Sequence, residues 1–214
     1  MSSPSATLYY TPTSCGAASF MAQAIAGLNL KTVEVDIGTH KVVADGSDYK
    51  KINPKGNVPA LVLADGTLFN EGAAVLQWIA DHAPASKLAA PAGTPERYHL
   101  INEINFTATD LHAASYGPLF NPSLSGDAKK AQLDKLHSKL KYLNDVVLKG
   151  GKKFVVGDRL SVADLYLVTV LGWSGYLGVD LSPYSNINSY IANVNSQGEV
   201  VSARQKLAEA SKKA

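Results

Sequence analysis

The chain has 214 residues, 46% of them hydrophobic and 18% charged, with a formal net charge of +2. That is a globular balance, long enough for one large domain or two small ones. It is too near neutral, and too poor in basic stripes interleaved with aromatics, for a nucleic-acid binder. No apolar run reaches the ~18 residues of a membrane helix, and the opening MSSPSAT lacks the basic and apolar parts of a signal peptide. The single cysteine makes no internal disulfide, so a cytoplasmic protein is expected.

The first eighty residues read as mixed α/β. TLYY (Thr7–Tyr10) reads as a strand, and CGAASFMAQAIAG as a helix stopped by Gly27. KTVEVDI alternates in the β manner from Thr32 to Ile37, and a loop region follows. PALVLADGTLFN is a hairpin about an Asp-Gly turn, and EGAAVLQWIADHA is again helical. The stretch APASKLAAPAGTPE, with Pro84, Pro91 and Pro95, reads as a linker or covered loop. The domain boundaries expected are therefore 1–83, a linker at 84–94, and an all-helical half at 95–214.

In that second half, Thr94 caps a helix with Pro95 in its first turn, expected to run from about Glu96 to Tyr116. DAKKAQLDKLHSKLKYLNDVVLKGG is amphipathic and stops at Gly150-Gly151. In LSVADL, Ser161 and Asp164 make a capping-box pattern, with Leu160 stapled onto Leu165. A helix buried on several faces should run from there to about Trp173. Two more helices are expected near 186–195 and 199–212.

The only cysteine, Cys15, falls where the first strand hands over to the first helix. Unpaired backbone N–H groups and the positive end of the helix dipole favour a thiolate there. A small buried apolar residue is the competing reading. Without a second cysteine at Cys15-Gly16-Ala17-Ala18, any redox or transfer chemistry needs a thiol from elsewhere. No Cys/His cluster has metal-ligand spacing, and no glycine-rich phosphate loop is present.

Pro59 opens an apolar strand in NPKGNVPALVL. A cis proline there would leave the Val58 backbone able to pair with an extended ligand, although trans is the commoner state. Glu71 and Gly72 lie where a helix begins. A helix N-terminus attracts a carboxylate and Glu71 an ammonium, which together suit an amino-acid zwitterion or simply make a favourable helix start.

These stretches together resemble the cytosolic glutathione transferases over essentially the whole chain. The resemblance rests on the β-α-β then β-β-α half, the all-helical second half, NPKGNVPAL, NEGAAVLQWIAD and LSVADLYL. LYYTPTSCGAAS and ERYHLINEINFTATDLH narrow it to the bacterial beta class, with a cysteine in the active site. The fold it implies is an N-terminal thioredoxin-like α/β domain followed by a C-terminal helical-bundle domain.

The resemblance also implies residue roles. Cys15 matches the cysteine that contacts glutathione and can form a mixed disulfide with it. Val58 precedes the matching cis-proline, Pro59, and pairs through its backbone with the cysteinyl unit. Glu71 and Gly72 hold the γ-glutamyl end. His40, or Lys41 beside it, stands at the basic position near the glycyl carboxylate. Asn105 and His112 match polar residues near the glutathione sulfur, and seven α-helical residues turn about 700°, which would put both on one face. Tyr116 and Trp173 match aromatic positions around the hydrophobic co-substrate. Asp164 matches a structural acid. Gly16 departs from the serine of many relatives and removes one hydroxyl near the sulfur.

The resemblance therefore implies an enzyme in which glutathione is a co-substrate, with no other cofactor and no metal. Its thiolate attacks a hydrophobic electrophile, and a homodimer is expected. Two alternatives stand beside this: thiol–disulfide exchange through Cys15, and a non-enzymatic protein that binds ligands or partners on the same fold.

Overall fold

The computed structural model describes residues 5–212. Residues 1–4, read above as no part of a signal segment, lie outside the described residues. The chain forms two compact units, one running to Pro91 and taking in the C-terminal segment from Gly198, the other spanning Ala92–Gln197.

In the first unit, β1 (Ala6–Tyr10) alternates buried and half-buried positions. It leads through α1 (Gly16–Ala26) to β2 (Lys31–Asp36), which pairs parallel to it. The connection is the right kind for a parallel pair, since a crossover needs a helix. β3 (Lys41–Val42), a single 3-10 turn at Tyr49–Lys51, β4 (Ala60–Leu63), β5 (Leu68–Phe69) and α2 (Gly72–His82) follow. The sheet order is β3-β2-β1-β4-β5, with β4 antiparallel to β1 and β5 antiparallel to β4. The β4–β5 hairpin turns at Asp65-Gly66 as the dipeptide predicts, and Gly66 takes φ +87°, a value side chains avoid. The short β3 and the turn at Tyr49 occupy what reads from sequence as loop.

Ala17, Ala18 and Ala22 of α1 are buried with Met21, and small side chains let α1 pack closely against its neighbours. On the other side of the sheet Val35, Tyr49, Val58 and Ala60 form a second buried cluster beneath Tyr9, Ile52 and Leu68. Burial of each large apolar side chain is worth about 1.5–3 kcal/mol.

The second unit starts with α3 (Pro95–Phe106), capped by Thr94 Oγ1 accepting from the Arg97 N–H as expected. The helix does not continue in α form to Tyr116. From Thr107 to Tyr116 it is π-helical. A 3-10 segment, Gly117–Phe120, and α4 (Gly126–Tyr142) follow, and a second π stretch runs over Leu143–Val147. α5 (Val162–Leu177) is the buried centre of this unit and extends past Trp173 to Gly178, where φ is +68°. Its capping box is present: Ser161 accepts from the Asp164 N–H, and Asp164 accepts from the Ser161 N–H. α6 (Ser185–Ser196) lacks a side-chain cap of its own, and Asn144 Oδ1 from the second π stretch accepts its Asn186 and Ile187 N–H groups instead.

The last helix, α7 (Gly198–Ser211), packs with α1 in the first unit. Its Val200, Ala203 and Leu207 recur at helical spacing and are buried. Chain order alone assigns this segment to the helical half; packing assigns it to the α/β unit.

Candidate functional site

Cys15 is the residue before α1, in αR conformation. The turn that delivers it is held by Ser14, whose Oγ donates to the Thr11 carbonyl and accepts from the Gly16 N–H. The turn is close at Gly16: a Cβ there would lie 3.2 Å from Tyr10 Cα and 3.1 Å from Thr11 N. The cysteine is 9% exposed, and its Sγ–H donates to the Val58 carbonyl at 3.2 Å. Burial pushes the thiol up to about 12. The N–H groups of Cys15 and Gly16 pull it down, and the Glu71 carboxylate adds to the rise. The helix end favours a thiolate as the sequence suggested, but desolvation is the larger effect and favours the neutral thiol.

Val58 and Pro59 are joined by a cis peptide bond, the state that the resemblance implies and that sequence statistics alone disfavour. Val58 is buried. Among the described residues its N–H makes no hydrogen bond, and its carbonyl accepts only from Cys15. The loop before it is built by three asparagines that the sequence reading did not single out. Buried Asn53 donates from Nδ2 to the Asn57 carbonyl and Oδ1, and its own Oδ1 accepts from Asn70 Nδ2 and the Lys55 N–H. Asn57 Nδ2 donates to the Asn70 carbonyl, and the Tyr49 hydroxyl donates to the Asn57 carbonyl. The network ties the segment ahead of Val58 to the residue ahead of Glu71. Its only sequence signal is the density of asparagine around the two motifs.

Glu71 is the extended N-cap residue of α2 and Gly72 the first helical residue, so the helix starts where the sequence reading placed it. The Glu71 carboxylate is exposed and pairs with Lys55 Nζ at 2.5 Å. An ammonium thus already sits on the acid suggested as an ammonium acceptor. His40, at φ +55°, lays its ring on Gly56, with Nδ1 3.2 Å from the Gly56 carbonyl. Gly56 must be glycine, because it has φ +72° and a Cβ would come within 2.8 Å of that ring. Lys41 is exposed on β3.

Asn105, His112, Tyr116 and Trp173 all belong to the helical unit. Asn105 is exposed on α3, and its carbonyl accepts from Thr109 Oγ1. His112 lies in the π stretch, where i→i+5 bonding widens each turn, so the seven-residue argument for a face shared with Asn105 does not apply. Burial lowers the His112 pKa and favours the neutral imidazole. Its Nδ1 is 2.8 Å from the Tyr166 hydroxyl, and its ring meets Trp173 edge-on at 4.8 Å. Trp173 is half-buried between His112 and Phe120. Tyr116 is fully buried, its hydroxyl bonded to Ser174, and it supports Trp173 from within. Phe120 and the 83%-exposed Tyr176, stacked on each other, extend the aromatic row outward. Both went unremarked in the sequence.

Asp164 is wholly buried and accepts from the Val155 N–H, the Ser161 N–H and hydroxyl, and the Tyr190 hydroxyl. It holds the fold together. Among the described residues no group of three or more His, Cys, Asp or Glu side chains is placed to hold a metal. No helix there is long and apolar enough to cross a membrane.

Comparison with known proteins bears on the whole chain. The N-terminal domain model of the glutathione S-transferases matches residues 19–82, and the C-terminal domain model matches 107–198. Glutathione S-transferase GstA of Escherichia coli O157:H7 is 36% identical over 196 residues, covering 92% of this chain and 96% of that protein. A sphingomonad glutathione S-transferase solved with glutathione superposes with a TM-score of 0.87 at 34% identity, over 94% of this chain and 98% of that one. The beta-class enzyme of Sphingomonas chungbukensis superposes at 0.86 with 36% identity, over the same shares. With both domain models matched and relatives above 30% identity covering nearly the whole chain, the chain belongs to the cytosolic glutathione transferases and is most like the bacterial beta class.

Proposed function

We infer that this enzyme seats glutathione on the loop ahead of Pro59 and conjugates its thiolate to a hydrophobic electrophile. The observation that carries the reading is the backbone of Val58, with an N–H lacking a partner among the described residues and a carbonyl 3.2 Å from the Cys15 thiol. An extended peptide adds to such a backbone as a further strand. In this reading the cysteinyl unit of glutathione pairs with Val58. The γ-glutamyl ammonium replaces Lys55 on Glu71, and the carboxylate beside it meets the N–H groups at Gly72. His40, already resting on the loop, takes the glycyl carboxylate.

Cys15 stays a neutral thiol and offers its S–H to the glutathione sulfur. Holding a thiolate against such donors is how a site of this kind lowers the barrier, and the resemblance assigns Asn105 and His112 to the same chemistry. Trp173, with Phe120 and Tyr176, receives the electrophile, and Tyr116 backs them. The burial of Cys15 weighs against its acting as the resting nucleophile in disulfide exchange. A homodimer belongs to the same reading.

The test is calorimetric titration with S-methylglutathione, together with turnover of an activated aryl chloride. Wild type should bind and turn over. Glu71→Gln should bind about tenfold more weakly, a loss of ~1.4 kcal/mol. Wild type that neither binds the analogue nor turns over would sink the reading.

A further inference from the structure

The π stretch Thr107–Tyr116 is ten residues long, whereas π geometry is ordinarily confined to single turns. Its cause lies on both sides of the backbone. Pro118 has no N–H, so the carbonyl of Ala114, which Pro118 would serve in an α-helix, has no helical donor. Gln132, half-buried on α4, supplies one: its Nε2 donates to the Ala114 carbonyl at 2.8 Å and to the Ser115 carbonyl at 2.7 Å. At the end of the stretch the Gly117 N–H donates to the His112 carbonyl, the i→i+5 bond that closes the last turn. A Cβ at Gly117 would lie 3.1 Å from that same oxygen. The Ser115 hydroxyl takes the Asp110 carbonyl at 2.6 Å, and Lys139 of α4 pairs with the Asp110 carboxylate.

The residue held inside this frame is His112. Its Nδ1 is engaged by Tyr166, and among the described residues its Nε2 makes no hydrogen bond. An α-helix over the same residues would turn a different side chain toward Tyr166 and Trp173. We propose that Gln132 and Gly117 are positioning residues of the reaction, pinning the π register that sets where the His112 imidazole stands. This rests on the reading of His112 as a contact of the glutathione sulfur. Gln132 touches no reacting atom; it acts through the backbone that carries His112.

The experiment uses the full-length enzyme with Gln132→Leu, which removes both donors, and Gln132→Arg, which retains donors at that position. Four quantities are measured: the imidazole proton resonances, with His112 assigned by its loss in His112→Gln; the Trp173 emission in a Trp78→Phe background; and kcat and KM for glutathione. Gln132→Leu should shift the His112 resonance and change the Trp173 emission. It should lower kcat at least tenfold while KM for glutathione moves less than threefold, and Gln132→Arg should restore most of kcat. Should Gln132→Leu not fold, Gly117→Ala strains the same register through the His112 carbonyl and should give the same signature.

A lowered melting temperature with His112 resonance and kcat unchanged would overturn the proposal, leaving Gln132 a packing residue. A shifted His112 resonance in Gln132→Leu, with kcat unchanged both there and in His112→Gln, would overturn the assignment of His112 to the sulfur. The catalytic half of the proposal would go with it, although the pinning itself would stand.

Discussion

The state of Cys15 is the sharpest quantitative consequence of the fold. A thiol pushed up to about 12 by burial is ionised at pH 7 in about one molecule in 10⁵, against about three in a hundred for an ordinary cysteine near 8.5. The thiolate is the reacting species. Alkylation at pH 7 should therefore run about three thousandfold below that of cysteine in a short peptide. Burial slows the reagent as well, so the rate alone does not isolate ionisation, but the pH dependence does. The assay is intact mass after timed exposure to iodoacetamide between pH 6 and pH 10, with circular dichroism showing the fold intact at each pH. The logarithm of the rate should climb one decade per pH step across the whole range, without a plateau. Oxidised glutathione at pH 7 should correspondingly add slowly to wild type and not at all to Cys15→Ser. A plateau with its midpoint below about pH 8 would refute the reasoning. It would mean that the N–H groups of Cys15 and Gly16 outweigh desolvation, and it would return disulfide exchange to the lead.

Three further outcomes follow from the geometry. Gly16→Ser should destabilise the protein by about 1–3 kcal/mol, because its Cβ would stand 3.1 Å from Thr11 N and 3.2 Å from Tyr10 Cα, both backbone atoms; a melting temperature equal to or above wild type would contradict this. Asp164→Ala strands the donors of Val155, Ser161 and Tyr190, and at ~1–3 kcal/mol for each unsatisfied group the loss should reach at least about 3 kcal/mol by denaturant titration. Burial holds His112 below its ordinary value of 6.5, so on acidification the unfolded chain takes up this proton before the folded one. The stability contributed by the neutral imidazole is complete above pH ~6.5 and is lost as pH falls through the depressed folded value. The melting temperature of His112→Gln should accordingly fall less than that of wild type between pH 7 and pH 5, and parallel curves would refute the assignment.

What the sequence determined by itself is what short-range chemistry controls. The Asp65-Gly66 turn, the stop at Gly27, the Thr94 cap and the Ser161–Asp164 box each depend on residues a few positions apart, and each stands where the pattern placed it. The start of α2 at Glu71-Gly72 was legible for the same reason. Tertiary structure decided what depends on distant partners. The order of the sheet puts β4 antiparallel beside β1, across a gap no local rule spans. α7 follows its apolar face onto α1 and away from the helices that precede it in sequence. The π register is bonded by Gln132, more than ten residues beyond the carbonyls it serves. The Asn53–Asn57–Asn70 network and the Lys55–Glu71 pair join motifs that are separate in the chain. Cys15 shows the division most clearly. Position at a helix start is local and favours the thiolate. Burial is a property of the whole packed unit, and because removing a charge from water costs more than two N–H dipoles return, the packed unit decides the state of the thiol.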